Sequence, residues 1–138
     1  MTSSGNKILS PGFIAFLLIY AASSLVHHIH NAEFLLEYPN LPNWLTRSGV
    51  YLAWLLTTLV GIVGYRLIEK HRARSGLSVL MIYGFLGLYG LAHYAVAPMQ
   101  AHSTPMNLSI GIEVVTASLL LVATGLKLRA FGQSQQKG

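Results

Sequence analysis

The chain has 138 residues, of which 53% are apolar and 9% are charged, and its net charge is +5. An ordinary soluble domain carries about 25% charged residues, so this composition indicates a chain embedded in lipid. The basic residues lie between apolar runs rather than on one polar face, which argues against a nucleic-acid binder. Because there is no cysteine, disulfides and thiolate metal sites are excluded.

Four apolar segments are long enough to cross a bilayer, which takes about 20 residues of helix. Each is predicted to be a helix, since a segment in lipid must satisfy its own backbone hydrogen bonds. The first segment has a longer apolar core than a signal peptide and no small-residue cleavage site before its histidines, so it is interpreted as a span. The predicted spans are residues 12–30, 49–68, 77–97 and 106–126.

Short connections after the second and third spans predict antiparallel neighbours in a four-helix bundle. Pro39 and Pro42 end any helical continuation of the first span, and Pro98 and Pro105 bound the last connection. The predicted fold is therefore an all-α integral membrane protein. It has a single transmembrane domain over residues 1–130 and a disordered cytoplasmic tail over 131–138.

Lysine and arginine predict the orientation, because they are retained on the cytoplasmic side of a membrane. Of the nine such residues, only Arg47 lies on the outer side. Both termini are therefore predicted to be cytoplasmic, and the predicted location is a bacterial inner membrane, with the first and third connections facing the periplasm. The eight residues on the cytoplasmic side are Lys7, Arg66, Lys70, Arg72, Arg74, Lys127, Arg129 and Lys137.

Titratable side chains gather near the outer ends of the spans. The stretch "LVHHIH" ends the first span, and Glu113 lies about 10 Å inside the fourth. Residues three, four and seven apart share a helix face, so each span carries one polar stripe, and lipid tolerates such stripes only if they face an interior. His28 is about 100° from His27 and is predicted to leave this face.

An interfacial aromatic belt is assigned to Tyr38, Trp44, Tyr51 and Trp54.

Imidazole and carboxylate are ligands of first-row metals, so the cluster predicts a site for a divalent metal, namely zinc, copper or iron. Asn31 and Tyr89 are expected to orient the ligands. Met99 and Met106, beside His102, favour copper because thioethers bind copper(I). The predicted ligands are His27, His30, His93, His102, Glu113, Glu33 and Glu37.

Glu113 and His93 are the predicted catalytic residues. An acidic side chain at a helix centre costs about 2.5–3.5 kcal/mol in lipid and normally pairs, binds a cation or moves a proton. With an open metal position, the protein would be a metal-dependent enzyme on a lipid or small apolar substrate.

Three alternatives remain open. Without a metal, a histidine and Glu113 would shuttle a proton on a lipophilic substrate, as in an isomerase or cyclase. A haem would be held by His27 or His28 opposite His93, giving electron transfer. The last alternative is an accessory subunit of a larger membrane complex.

Glycines form small-residue stripes on the second and third spans, which predict close helix approach within the bundle or between copies of the chain. The expected partners are membrane lipids, a lipophilic small molecule and a second copy of the chain. The glycines are Gly61, Gly64, Gly84, Gly87 and Gly90.

Overall fold

The computed structural model describes residues 8–135, and over this range all regular structure is helical. The α-helices are α1 (Pro11–Glu33), α2 (Arg47–Glu69), α3 (Ala73–Gly87), α4 (His93–Val96) and α5 (Thr104–Gln135). Short 3₁₀ helices lie at Leu35–Glu37, Leu88–Ala92 and Met99–Ala101, and the second of them joins α3 to α4.

Four stretches of the described chain are long and apolar enough to cross a membrane. They are Pro11–Glu33, Arg47–Glu69, Ala73–Val96 and Thr104–Ser134. Each of the four predicted spans coincides with one of them, with differences only near the ends. The prediction of four membrane-length helices is therefore confirmed.

Local sequence explains where the helices begin. Pro11 occupies the first turn of α1, where its missing N–H costs nothing because that group would have no helical partner. The Thr46 side chain caps α2 by accepting a hydrogen bond from Gly49 N–H at 3.1 Å. Between these helices, Asn40 has a φ of 56°, a conformation that asparagine tolerates. Its side chain donates to the carbonyl of Val96 at 2.9 Å and thereby ties this connection to the end of α4.

Helix α5 packs against both α1 and α3, whereas α2 packs on α3 and to a smaller extent on α1. The hydrophobic core between them includes two tyrosines in ring contact, Tyr20 and Tyr83. The most deeply buried apolar residues of this core are Phe13, Tyr20, Ile68, Leu77, Leu80, Tyr83, Ala117 and Leu120.

Glycines bring α2 and α3 close together. A Cβ added at Gly76 would lie 2.7 Å from the carbonyl oxygen of Gly64, and one added at Gly61 would lie 2.7 Å from the ring of Tyr83. A Cβ added at Gly84 would lie 2.8 Å from the side chain of Leu121 on α5. These glycines therefore make close contacts inside a single chain, and pairing between copies remains a prediction.

The end of α5 differs from the sequence prediction. A disordered tail is predicted from residue 131, whereas α5 continues through Gln135. Phe131 and Leu128 pack against the hydrophobic core, and this burial favours helix over the first residues of the predicted tail. Residues 136–138 lie outside the described range, and so does Lys7.

The two ends of the molecule differ in charge. Lys127 lies over the ring of Phe13 at 5.0 Å, so the C-terminal part of α5 is beside the start of α1. The α2–α3 turn is at this same end, because Arg66 and Leu17 line one groove. The end that carries Arg66, Lys70, Arg72, Arg74, Lys127 and Arg129 is called the basic end, and the opposite end is called the histidine end.

Candidate functional site

Glu113 lies inside the histidine end with 2% of its surface exposed. Its Oε2 is 3.6 Å from His27 Nε2, and its Oε1 is 3.8 Å from His28 Nδ1. Within the described residues, these two imidazoles are the basic groups within 4.0 Å of the Glu113 carboxyl. A buried carboxyl is thus compensated by imidazoles rather than by lysine or arginine.

Hydrogen bonds determine which nitrogen of each imidazole carries the proton. The Ser109 hydroxyl donates to the carbonyl of Met106 at 2.9 Å, so its oxygen accepts from His27 Nδ1–H at 3.2 Å. His28 Nδ1–H donates to the carbonyl of Ser24 at 2.8 Å. Neutral imidazole has one donor and one acceptor nitrogen, so His27 directs its unprotonated Nε2 toward the carboxyl of Glu113.

His93 and His102 extend the cluster from α1 toward α4 and the following connection. The ring centroids of His27 and His93 are 5.5 Å apart, and those of His93 and His102 are 6.1 Å apart. Asn31 Nδ2 donates to His93 Nε2 at 3.4 Å, so the predicted contact of Asn31 with the cluster is present. His102 Nδ1–H donates to the carbonyl of Pro98 at 3.1 Å.

The other nitrogen of His102 is notable because it has no partner. His102 is 6% exposed, and its buried Nε2 has no hydrogen bond to any residue in the described range. Burying a polar atom without a partner costs about 1–3 kcal/mol. An unprotonated nitrogen in this position is available to a ligand.

Tyr38 belongs to the cluster, although the sequence assigns it to an aromatic belt. Its hydroxyl is hydrogen-bonded to His30 Nδ1 at 2.9 Å, and the centroid of its ring lies 4.9 Å from that of His93. It is 4% exposed, and burial raises the pKa of its hydroxyl to about 12. The turn at Leu35–Glu37 folds this residue back over the helix ends, and no periodic pattern in the sequence signals such a turn.

Two predicted metal ligands lie outside the cluster. Glu33 is held by Arg47 at 2.6 Å and by the Tyr51 hydroxyl at 2.6 Å, so its carboxylate faces the start of α2. Glu37 is exposed in the turn after α1. The spacing that predicts a shared face with His30 requires α1 to continue past Glu33, whereas the helix ends there.

Tyr89 also lies outside the cluster, with 78% of its surface exposed. The prediction assumes an α-helix, in which residues four apart share a face. The segment Leu88–Ala92 is instead a 3₁₀ helix, in which each residue advances by about 120°, so Tyr89 and His93 point in different directions. Of the two methionines named beside His102, Met106 is buried and Met99 is exposed.

No group of three or more His, Cys, Asp or Glu side chains is arranged to hold a metal ion in the part of the chain that the structure describes. The cluster is nevertheless continuous through the contacts given above; its members are His27, His28, His30, Tyr38, His93, His102 and Glu113. No family model, curated protein or solved structure matches this chain. The candidate site is therefore defined by its geometry.

Proposed function

We propose that the chain is a multi-pass membrane protein whose four long helices form an antiparallel bundle. Large apolar side chains are exposed on every long helix, where water would make them unfavourable; examples are Leu18, Leu55, Phe85 and Val115. The residue pairs in contact also support the antiparallel arrangement. Ser23 on α1 is hydrogen-bonded to Thr116 on α5, whereas His27, one turn later on α1, is hydrogen-bonded to Ser109, about two turns earlier on α5.

The same arrangement supports cytoplasmic termini. The basic end carries six described lysine and arginine residues, whereas Arg47, at the histidine end, is paired with Glu33. Since basic residues are retained in the cytoplasm, the histidine end is proposed to face the outside. The assignment to a bacterial inner membrane remains a prediction.

For the site itself, we infer acid–base chemistry on a lipophilic molecule, as in an isomerase that moves a double bond. The observation that carries this proposal is the buried pair of Glu113 and His27, with Oε2 and Nε2 3.6 Å apart. General acid–base catalysis needs a donor and an acceptor positioned on one substrate. A protonated Glu113 and a neutral His27 would provide them in an apolar surrounding that excludes water.

The proposed reaction balances without a cofactor. Glu113 donates its proton to one carbon of a double bond, while His27 Nε2 removes a proton from the carbon next to the other. The double bond moves by one position, and the site is left with a carboxylate and an imidazolium. After the product leaves, release of the Nε2 proton to solvent and uptake of a solvent proton by Glu113 restore the starting state, and Ser109 keeps its hydrogen bond to Nδ1 throughout.

This proposal predicts that the protein exchanges substrate hydrogen with solvent. Purified protein incubated with a membrane lipid extract in D₂O should incorporate deuterium into at least one lipophilic species, detected by mass spectrometry. Replacing a general acid typically lowers the rate about 10²–10⁴-fold, so Glu113→Gln should lower incorporation by that order. The matched control is Glu37→Gln, because the Glu37 side chain is exposed. Full incorporation by Glu113→Gln would contradict the proposal.

A second candidate is a metal-dependent enzyme with zinc, copper or iron. It is supported by the free, buried Nε2 of His102 and by the Nδ1–H bonds of His27, His28 and His102 to oxygen acceptors. Metal-binding histidines typically donate their second nitrogen in this way. The exchange assay separates the two candidates: loss of incorporation in a chelator and its recovery with added metal would favour the metal.

The haem alternative has no comparable support. Axial imidazoles bind a haem iron from opposite sides of the porphyrin. The rings of His27 and His93 instead meet edge to face, with their centroids 5.5 Å apart, and this contact leaves no space between them for a porphyrin. The accessory-subunit alternative remains a prediction.

A further inference from the structure

A groove with a volume of about 600 Å³ lies between α1 and α2, away from the histidine cluster. Its walls include Leu17 and Ala21 on α1 and Ile62 on α2, and the ring of Tyr83 lies behind Gly61 at its base. A side chain larger than glycine at position 61 would meet this ring at 2.7 Å. The groove has the size of a ligand site and an apolar lining.

The length of the groove matches one leaflet of a bilayer. On α2 its lining runs from Thr58 to Glu69, which at 1.5 Å per residue is about 16 Å. Half of the hydrocarbon core of a bilayer is about 15 Å. An extended acyl chain of a single leaflet therefore spans the groove from its apolar end to the basic end.

The groove ends in charged groups where a lipid headgroup would lie. Arg66 and Glu69 both line it, and Arg66 Nη1 is 2.9 Å from Glu69 Oε2. The Arg66 side chain is 68% exposed and remains open to a further partner. Guanidinium groups bind phosphate through paired N–H donors.

We propose that the groove binds one acyl chain of a glycerophospholipid from the leaflet at the basic end, with the lipid phosphate at Arg66. The apolar walls exclude a headgroup from the interior, and the single guanidinium at the mouth selects a phosphate-bearing lipid over a neutral one. This inference rests on the proposed membrane location and is independent of the acid–base chemistry.

Native mass spectrometry of protein extracted from membranes in mild detergent tests the inference. The wild type should retain one phospholipid per chain. Ala21→Trp fills the groove and should abolish retention, while Arg66→Gln removes a charge-assisted contact and should weaken retention about tenfold. The matched controls are Leu119→Trp, on an exposed face of α5, and Arg74→Gln, at the basic end outside the groove; both should retain the lipid.

Several results would overturn the inference. These are a lipid-free wild type recovered from the membrane fraction, full retention by Ala21→Trp, or equal retention of a neutral diacylglycerol and a phospholipid by the wild type. A dimer that Ala21→Trp dissociates would assign the groove to a second copy instead. If Ala21→Trp is not monodisperse on size exclusion, Ile62→Trp fills the same groove from α2. The proposed function is tested separately on the same preparations. If lipid retention fails while deuterium incorporation into a lipophilic species persists, only the groove inference is overturned.

Discussion

The two carboxyl oxygens of Glu113 face different imidazoles, 3.6 Å away in His27 and 3.8 Å away in His28. Placing a lone carboxylate in an apolar interior costs several kcal/mol, and the group therefore pairs or stays protonated. Ser109 adds to this constraint, because it holds His27 Nδ1 and leaves Nε2 for the carboxyl. These polar side chains of the apolar interior therefore satisfy one another's hydrogen bonds and charges.

Part of this site is predictable from single residues, and part is not. The common depth of His27, His93 and Glu113 follows from counting residues along apolar spans. His28 is predicted to leave the face, yet it lies near Glu113 because a carboxyl with two oxygens contacts neighbouring positions of the facing helix. Tyr38 reaches the cluster only because the chain turns back after α1 at Leu35–Glu37. Helical periodicity cannot predict such a turn.

Tyr38 provides a stability prediction at this scale. Tyr38→Phe removes the hydrogen bond to His30 and should lower the free energy of unfolding by about 1 kcal/mol, measured by thermal unfolding in detergent. The control is Tyr51→Phe, whose hydroxyl bonds the exposed Glu33 and whose effect should stay within about 0.5 kcal/mol. Equal losses in both variants would contradict a specific role for Tyr38.

The raised pKa of Tyr38 adds a pH dependence to the same comparison. Burial raises this pKa to about 12, so between about pH 10 and 12 the folded state keeps a proton that the unfolded state releases. The stabilising contribution is complete below pH 10 and is lost as the pH rises through 12. The wild type should therefore lose more stability than Tyr38→Phe over this window; parallel pH profiles would be evidence against it.

At the scale of helices, the join between α3 and α4 determines which side chains reach the site. The 3₁₀ segment Leu88–Ala92 changes the rotation per residue, which directs Tyr89 outward and leaves His93 in the cluster. Gly90 lies in this segment and Gly87 directly precedes it. An added Cβ at Gly87 would lie 2.5 Å from the ring of Tyr20. Sequence periodicity predicts the span but assumes one helical pitch, so it assigns Tyr89 wrongly to the polar interior.

The contact of α2 with α3 gives a prediction at this scale. Gly76→Ala would bring a Cβ within 2.7 Å of the Gly64 carbonyl oxygen and 2.9 Å of Ile68 N. Backbone atoms move aside only with strain, so a loss of about 1–3 kcal/mol is expected. Gly111→Ala is the control, because an added Cβ there would meet no side chain or neighbouring helix within 4 Å and alanine favours a helix by up to about 1 kcal/mol. Thermal unfolding of the two variants should shift in opposite directions, and a shared direction would reject the packing argument.

For the molecule as a whole, length and hydrophobicity predict the four long helices. These quantities follow directly from the apolar character of each segment. The largest differences in the helix bounds are at the start of the third span and at the end of the fourth. The tail is less predictable, because the helix beyond residue 130 depends on the packing of Phe131 in tertiary contacts. The proposed orientation depends on the unequal distribution of lysine and arginine between the two ends of the molecule.

The absence of cysteine makes this orientation testable without background. In intact cells, a membrane-impermeant thiol reagent should label Asn43→Cys, in the connection after α1. It should label Ser75→Cys, at the start of α3, only after the membrane is permeabilised. Both positions are exposed. The reverse pattern would contradict cytoplasmic termini.

The central claim is that Glu113 and His27 form one buried pair within the bilayer. The most direct measurement is the dipolar coupling between ¹⁵N-labelled histidine and ¹³Cδ-labelled glutamate in protein reconstituted into lipid bilayers. A 3.6 Å separation of Nε2 and Oε2 predicts a measurable coupling to a single glutamate, which Glu113→Gln abolishes and Glu37→Gln leaves intact. A wild type without this coupling, or a coupling that survives in Glu113→Gln, would contradict the account.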